Sequence, residues 1–202
     1  MTLLLRAVVI SALAVALSGC MGSLLGGGKV PTTLYTLSAE AADPGPMTRT
    51  VNAGQAVTIG TPLLSKELRT VRAPVQVTPT DIQYVPDLQW VDTPDRLFQA
   101  LLEETVRRTT NRVVLDPRQS ALDPGLQVTG ELSRFGYDAS SGQAMVVYNA
   151  SLSTAGGTRT ETRRFVASVP ADGTGRSVAT ALNSAANQVA TEVATWIGNS
   201  SS

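Results

Sequence analysis

Apolar residues recur at helical spacing in two stretches of this chain and alternate with polar residues in several others. Leu97, Phe98, Leu101, Leu102 and Val106 line one face of a helix predicted over about 93–110. Arg96, Gln99, Glu103, Arg107 and Arg108 are directed largely away from that face. Thr93 is placed to cap this helix, Pro94 suits its first position and Asp95 favours the positive end of its dipole, while Asn111 stops it. Glu103–Arg107 and Glu104–Arg108 are i,i+4 pairs in the favoured order, each worth roughly 0.2–0.5 kcal/mol. A second stripe, Val178, Leu182, Ala185, Val189, Val193 and Trp196, predicts a helix over about 177–197 that Gly198 terminates. Its many alanines let it lie close against a sheet.

Between and before these helices the period drops to two. Leu126, Val128, Gly130 and Leu132 alternate with polar residues, but Phe135 and Tyr137 fall out of phase, so a bulge is expected near Ser133–Arg134. Ser140-Ser141-Gly142 makes a turn, Ala144 to Leu152 alternates again, Ala155-Gly156-Gly157 makes a second turn and Arg159–Val169 forms a third strand. The pattern is a three-stranded antiparallel meander. Upstream, Leu34–Leu37 and Ala56–Gly60 read as short strands. Leu68–Val77 reads as an edge or bent strand because Pro74 lacks an amide donor. Asp81–Val85 can pair with Val75–Val77 through Thr78-Pro79-Thr80, and Val113–Leu115 looks like a buried strand. The order strands, helix, strands, helix argues for an α/β or α+β single domain, with a mixed, largely antiparallel sheet packed on two principal helices.

The N-terminus has a different pattern. Arg6 is followed by an uncharged apolar run, Ala7–Leu17, and then by Ser18-Gly19-Cys20. This is the layout of a secretory signal peptide, and the run is shorter than the roughly 20 residues a spanning helix needs. Leu17-Ser18-Gly19-Cys20 resembles the lipobox, the cleavage and acylation signal of bacterial lipoproteins. The expected organisation is a signal peptide at 1–19, a lipidated glycine-rich tether at 20–33, a domain at 34–198 and a disordered tail at 199–202. Cys20 is the expected lipid-attachment residue, with palmitate-type acyl chains each contributing ~0.8 kcal/mol per buried CH₂. Met21 follows it, so the acidic inner-membrane retention signal is absent and an outer-membrane location facing the periplasm is favoured.

Composition narrows the chemistry. Lys plus Arg and Asp plus Glu number sixteen each, which gives no basic excess for nucleic acid. Cys20 is the sole cysteine, so no disulfide forms within the chain. There is no histidine, which removes Ser-His-Asp, Cys-His and Cys/His zinc chemistry. Gly26-Gly27-Gly28-Lys29 fails the spacing of a phosphate loop, since Lys29 is followed by Val30. No cofactor beyond the covalent lipid on Cys20, no metal and no enzymatic activity are expected.

The chain resembles the ABC-type transport auxiliary lipoproteins, the PqiC-like group. The resemblance is carried by Tyr35-Thr36-Leu37 soon after the lipobox, Leu68-Arg69-Thr70-Val71, Ile82-Gln83-Tyr84 and Gln89-Trp90-Val91-Asp92-Thr93-Pro94 leading into Leu97–Leu102. It covers essentially the whole mature chain. It implies a compact α/β domain without catalytic residues, acting as accessory and docking part of an envelope lipid transporter. The implied partners are an MCE-domain protein with its permease and ATPase, together with the membrane through the lipid anchor. A homo-oligomer is compatible with it. The other reading is an envelope-assembly lipoprotein that chaperones another outer-membrane component without a transporter.

Tyr84 and Trp90 are the candidate partner-binding residues, since aromatics are enriched at interface hot spots. Their other reading is core packing over the N-terminus of the first helix. Arg159, Glu161, Arg163 and Arg164 share one predicted strand, as a site for acidic headgroups or a partner, or as a solvated face; Arg69 and Arg72 pose the same choice. Asp92 and Asp95 flank a helix start, where acidic residues serve capping and the dipole.

Overall fold

In the computed structural model, residues 33–50, 52, 54–119, 125–154 and 159–200 are described. The signal peptide, Cys20, most of the tether, the turn at Ala155–Gly157 and the last two residues lie outside them. Strands β1 (Val57–Ile59), β2 (Leu63–Leu64), β3 (Arg72–Thr78) and β4 (Asp81–Gln89) precede helix α1 (Pro94–Thr109). Strands β5 (Val114–Leu115), β6 (Leu126–Asp138), β7 (Gln143–Ser153) and β8 (Thr160–Pro170) follow, and helix α2 (Gly175–Asn199) closes the chain. The result is a single α/β domain with one mixed eight-stranded sheet and two helices.

The thirteen residues of β6 organise the sheet. One edge of β6 pairs antiparallel with β7, and β7 with β8, as the expected meander. The other edge is shared in succession by three parallel partners: β1 beside Leu126–Val128, β2 beside Glu131 and Leu132, and β3 beside Tyr137 and Asp138. The register of β6 against β7 shifts between Leu132 and Arg134. That bulge brings Leu132 and Phe135 onto the same covered face, where both are buried. Gly130 is fixed by close approach, because a Cβ there would collide with the Asn149 carbonyl and the Tyr148 ring.

Both helices pack on one face of the sheet, and their apolar stripes meet the inward residues of β6, β7 and β8 in one core. Phe98 of α1 meets the Tyr148 ring edge-on at 5.2 Å. Thr110, after α1, approaches Gly198 of α2, so the two helices end near each other.

Several local expectations need correction. Thr93 stands at the cap of α1 but makes no side-chain capping bond; Asp92 Oδ1 accepts the Thr93 N–H instead. Leu34–Leu37 forms no strand beyond a single bridge from Tyr35 to Trp90; from Ser38 onward the segment is held by asparagine side chains rather than by a neighbouring strand. Lys66–Leu68 winds into one 3-10 turn, so the extended stretch starts only at Arg72. Pro74 lies in a strand flanked on both sides, tolerated by a register shift against β4 and by the absence of a Cβ on Gly136. Val114 and Leu115 are half-buried on a two-residue strand that, among the described residues, pairs with β1 alone. Gly198 does not end α2, which runs one residue further.

Candidate interaction surfaces

The first described residues, 33–41, lie across the domain in extended form, and the side chains that hold them come from distant elements. Tyr35 donates its N–H to the Gln89 carbonyl and accepts from the Val91 N–H, both at 2.8 Å. Its ring meets Trp90 edge-on at 6.5 Å, and Trp90 in turn packs on Phe135 at 5.5 Å. Further along, Asn183 Oδ1 accepts the Ser38 N–H and Asn187 Oδ1 accepts the Glu40 N–H, both at 2.8 Å. Asn187 Nδ2 donates to the Ser38 carbonyl at 2.9 Å. Two asparagines of α2 thus offer the segment the donor and acceptor pattern of a neighbouring strand. Arg108 then binds the Ala41 carbonyl at 2.7 Å.

Arg112 fastens the far end of α2. Its guanidinium donates to the carbonyls of Gln55, Ile197 and Ser200. The last turn of α2 contains no basic residue of its own. Arg112 supplies the cation that the negative end of the helix dipole favours. Burial lowers its pKa.

Beside this end of α2 is an open cleft of about 650 Å³, between α2 and the first half of β8. Strand alternation directs Arg159, Glu161, Arg163 and Phe165 to the helix side and Arg164 to the opposite face. Glu161 is the hub. Its Oε1 accepts from Arg163 Nη2 at 2.7 Å and Nε at 2.8 Å, and from the Trp196 indole at 3.1 Å. Arg159 stands 3.9 Å from the other oxygen. The Arg163 guanidinium lies 5.3 Å over the Trp196 ring, which packs on Phe165 at 5.5 Å. Arg163 foremost, and Trp196 after it, hold the Glu161 carboxyl below its usual range. The arrangement is an aromatic floor carrying a clustered charge, suited to recognition.

Of the two aromatic candidates, Trp90 is only 1% exposed and belongs to the core. Its ring lies between Tyr35 and Phe135, so its side chain has no surface to present in this conformation. Tyr84 is half-buried, donates to the Glu67 carbonyl at 3.3 Å, and lies under the Arg72 guanidinium at 4.3 Å. Arg69 donates to the Leu64 carbonyl. Asp95 stands in the first turn of α1 with one carboxylate oxygen buried and unbonded. Cys20 lies outside the described residues. Of the four charged residues that the sequence put on one strand, Arg159, Glu161 and Arg163 come together and Arg164 turns away; Trp196, their aromatic partner, was missed because it sits in an apolar stripe. Asn183, Asn187 and Arg112 were missed as well, since they carry no local signal of their long-range bonds.

Among the described residues no group of acidic or cysteine side chains is arranged to hold a metal, and no helix is long and apolar enough to cross a membrane. The mixed sheet and the two helices packed on it define a single α/β domain. The chain belongs to the family described as the ABC-type transport auxiliary lipoprotein component, matched over residues 35–194. Among solved structures, protein XCC0632 from Xanthomonas campestris is similar at a TM-score of 0.67 and 18% identity, covering 82% of this chain and 95% of that one. A crystal structure of an uncharacterized protein follows at 0.61 and 11% identity, covering 74% and 96%. These likenesses are of fold. Comparison with curated protein sequences finds no match.

Proposed function

We propose that this chain is a lipid-anchored docking component of an envelope lipid transporter, held by Cys20 on the outer membrane with its domain in the periplasm, where it receives an MCE-domain protein coupled to a permease and ATPase. The carrying observation is the reach of the family match, 35–194, which takes in nearly the whole described domain. The auxiliary role therefore belongs to this domain itself. The N-terminal sequence supports the anchor: a short apolar run, small residues and a lone cysteine. Several acyl chains on that cysteine would exceed the single chain that binds membranes only marginally. A glycine-rich tether of this length reaches about 20 Å on average, which keeps the domain close to its membrane.

The test is affinity purification of the full-length protein from mildly solubilised envelopes, alongside a Cys20→Ser variant. Recovery of an MCE-domain protein with its permease supports the reading, as does release of the variant from the membrane fraction. Recovery of only a barrel or cell-wall proteins, in detergent that preserves transporter complexes, would replace it with an assembly role.

A further inference from the structure

The outer edge of β8 is a long row of backbone groups with no partner strand among the described residues. β8 pairs only with β7, over eleven consecutive residue pairs from Gln143↔Pro170 to Ser153↔Thr160 with no shift of register. The bonds that flank this ladder fix which groups face outward. Thr154 donates to the Arg159 carbonyl at one end and Ala171 to the Gly142 carbonyl at the other. Hydrogen-bonded and non-hydrogen-bonded pairs alternate in an antiparallel ladder. Residues 159, 161, 163, 165, 167 and 169 therefore direct their backbone groups to β7. Thr160, Thr162, Arg164, Val166 and Ser168 direct theirs away from the sheet, and all five residues are exposed.

Folded proteins blunt such an edge by keeping it short, bulging it or placing proline within it. β8 has none of these before its terminal Pro170. It does carry Arg159, Arg163 and Arg164, which oppose pairing with a second copy of the same edge. The same arginines favour a strand bearing carboxylates. The cleft lined by Arg159, Glu161, Arg163, Phe165, Glu192 and Trp196 runs along the helix side of this edge. A strand added to β8 would present alternate side chains to it. Edge addition takes affinity from main-chain hydrogen bonds and specificity from such flanking pockets.

We infer that β8 is a docking edge for an extended segment of a partner polypeptide with carboxylates at alternate positions, seated beside the Arg159–Glu161–Arg163 cluster. The inference deepens the docking role proposed above by naming its surface and the chemistry of its partner.

The experiment uses the purified full-length lipoprotein in detergent. The probes are a synthetic peptide alternating glutamate with threonine and valine, its lysine counterpart, and the glutamate peptide N-methylated along one edge. Readouts are Trp196-sensitive fluorescence and amide hydrogen exchange. The glutamate peptide should slow exchange at Thr162, Arg164 and Val166 and bind at least about tenfold tighter than the lysine peptide. N-methylation should abolish binding. Val166→Pro removes one outward N–H while keeping the bonds to β7, and should cost about tenfold or more. Arg159→Glu with Arg163→Glu should invert the peptide preference. Absence of protection at these amides with every peptide overturns the inference, as does undiminished binding by the N-methylated peptide. Protection that appears without peptide and rises with protein concentration would assign the edge to a second copy instead. A transporter recovered equally well with Val166→Pro would leave the proposed function standing and remove β8 as its docking surface.

Discussion

Asn187 holds Glu40 by its backbone: the Asn187 Oδ1 accepts the Glu40 N–H at 2.8 Å across 147 residues of sequence. The same amide donates to the Ser38 carbonyl and back to the Asn183 carbonyl, both at 2.9 Å. Asn187 is 5% exposed, within a stripe of alanines and valines. A polar group is kept there because each of its bonds is made; left unmade, a buried donor or acceptor costs about 1–3 kcal/mol.

Asn187→Ala should therefore destabilise the domain by about 1–2 kcal/mol, toward the low end because Ser38 and Glu40 are exposed and water can take over their backbone groups. The larger effect should be local. Amide exchange at Tyr35, Ser38 and Glu40 should accelerate well beyond the change in global stability. Uniform acceleration through β6 and β7 would show instead that the segment unfolds only with the core.

What the sequence disclosed and what it hid follow from the same physics. Strands of the meander have one covered and one solvated face, so their residues alternate, and the break in phase between Leu132 and Phe135 marks the bulge in the sequence itself. The edge of β6 shared by β1, β2 and β3 was hidden: Ala56–Gly60 and Leu68–Val77 read as strands, but alternation within a strand does not name its neighbour, and Leu63-Leu64 is too short to alternate at all. The charged face of β8 was legible from Arg159, Glu161 and Arg163 at spacing two. Its closure by Trp196 was not, since an indole in an apolar stripe looks the same whether its N–H meets a carboxylate or nothing. The asparagine staples were hidden for a similar reason: a polar residue on an alanine-rich helix reads as solvent-facing until a backbone segment is laid across it.

Tyr148 offers a contrasting case. Its ring is fully buried against Phe98 and beside Gly130, and its hydroxyl has no hydrogen-bond partner among the described residues. Burial pushes the phenol pKa well above its ordinary value. Removing an unsatisfied hydroxyl while keeping the ring discards a desolvation penalty and little else. Tyr148→Phe should leave stability unchanged or raise it by up to ~1 kcal/mol. Thermal or denaturant unfolding checks this; a loss beyond ~1 kcal/mol would mean that the hydroxyl contributes a bond.

Arg112 joins three parts of the chain through the carbonyls of Gln55, Ile197 and Ser200. Arg112→Met keeps the aliphatic stem and deletes every donor. Loss of bonds from a charged group, together with the favourable cation at a helix end, should cost about 1.5–3 kcal/mol. Arg112→Lys should recover only part of this, since an ammonium cannot fork between separated carbonyls as a planar guanidinium does. Fraying should concentrate in the last turn of α2, read as faster exchange at Trp196, Ile197 and Ser200. Equal behaviour of the two variants would rule out the fork.

From acid to about pH 8 the pH dependence of stability should have one limb only. Glu104, Asp138, Glu161 and Asp172 are held below their ordinary values, by Arg108, the Ser140 hydroxyl, Arg163 and the Thr174 amide respectively, and Asp116 is drawn to about 2 by Arg118. A carboxyl whose pKa is depressed on folding adds stability that is fully present above its unfolded value. That stability is lost as pH falls through the folded value. With unfolded values near ~3.9 for Asp and ~4.3 for Glu, the contribution should be complete above about pH 5.5 and fade below it. No histidine is present to titrate at neutral pH, so the unfolding midpoint should be flat from about pH 5.5 to 8. Glu161→Gln removes one of these carboxylates, so the acid limb should become shallower while the neutral plateau drops. A variant whose acid limb keeps the wild-type slope would show that the Arg163–Glu161 pair forms equally in the unfolded chain, and would detach the cluster from stability altogether.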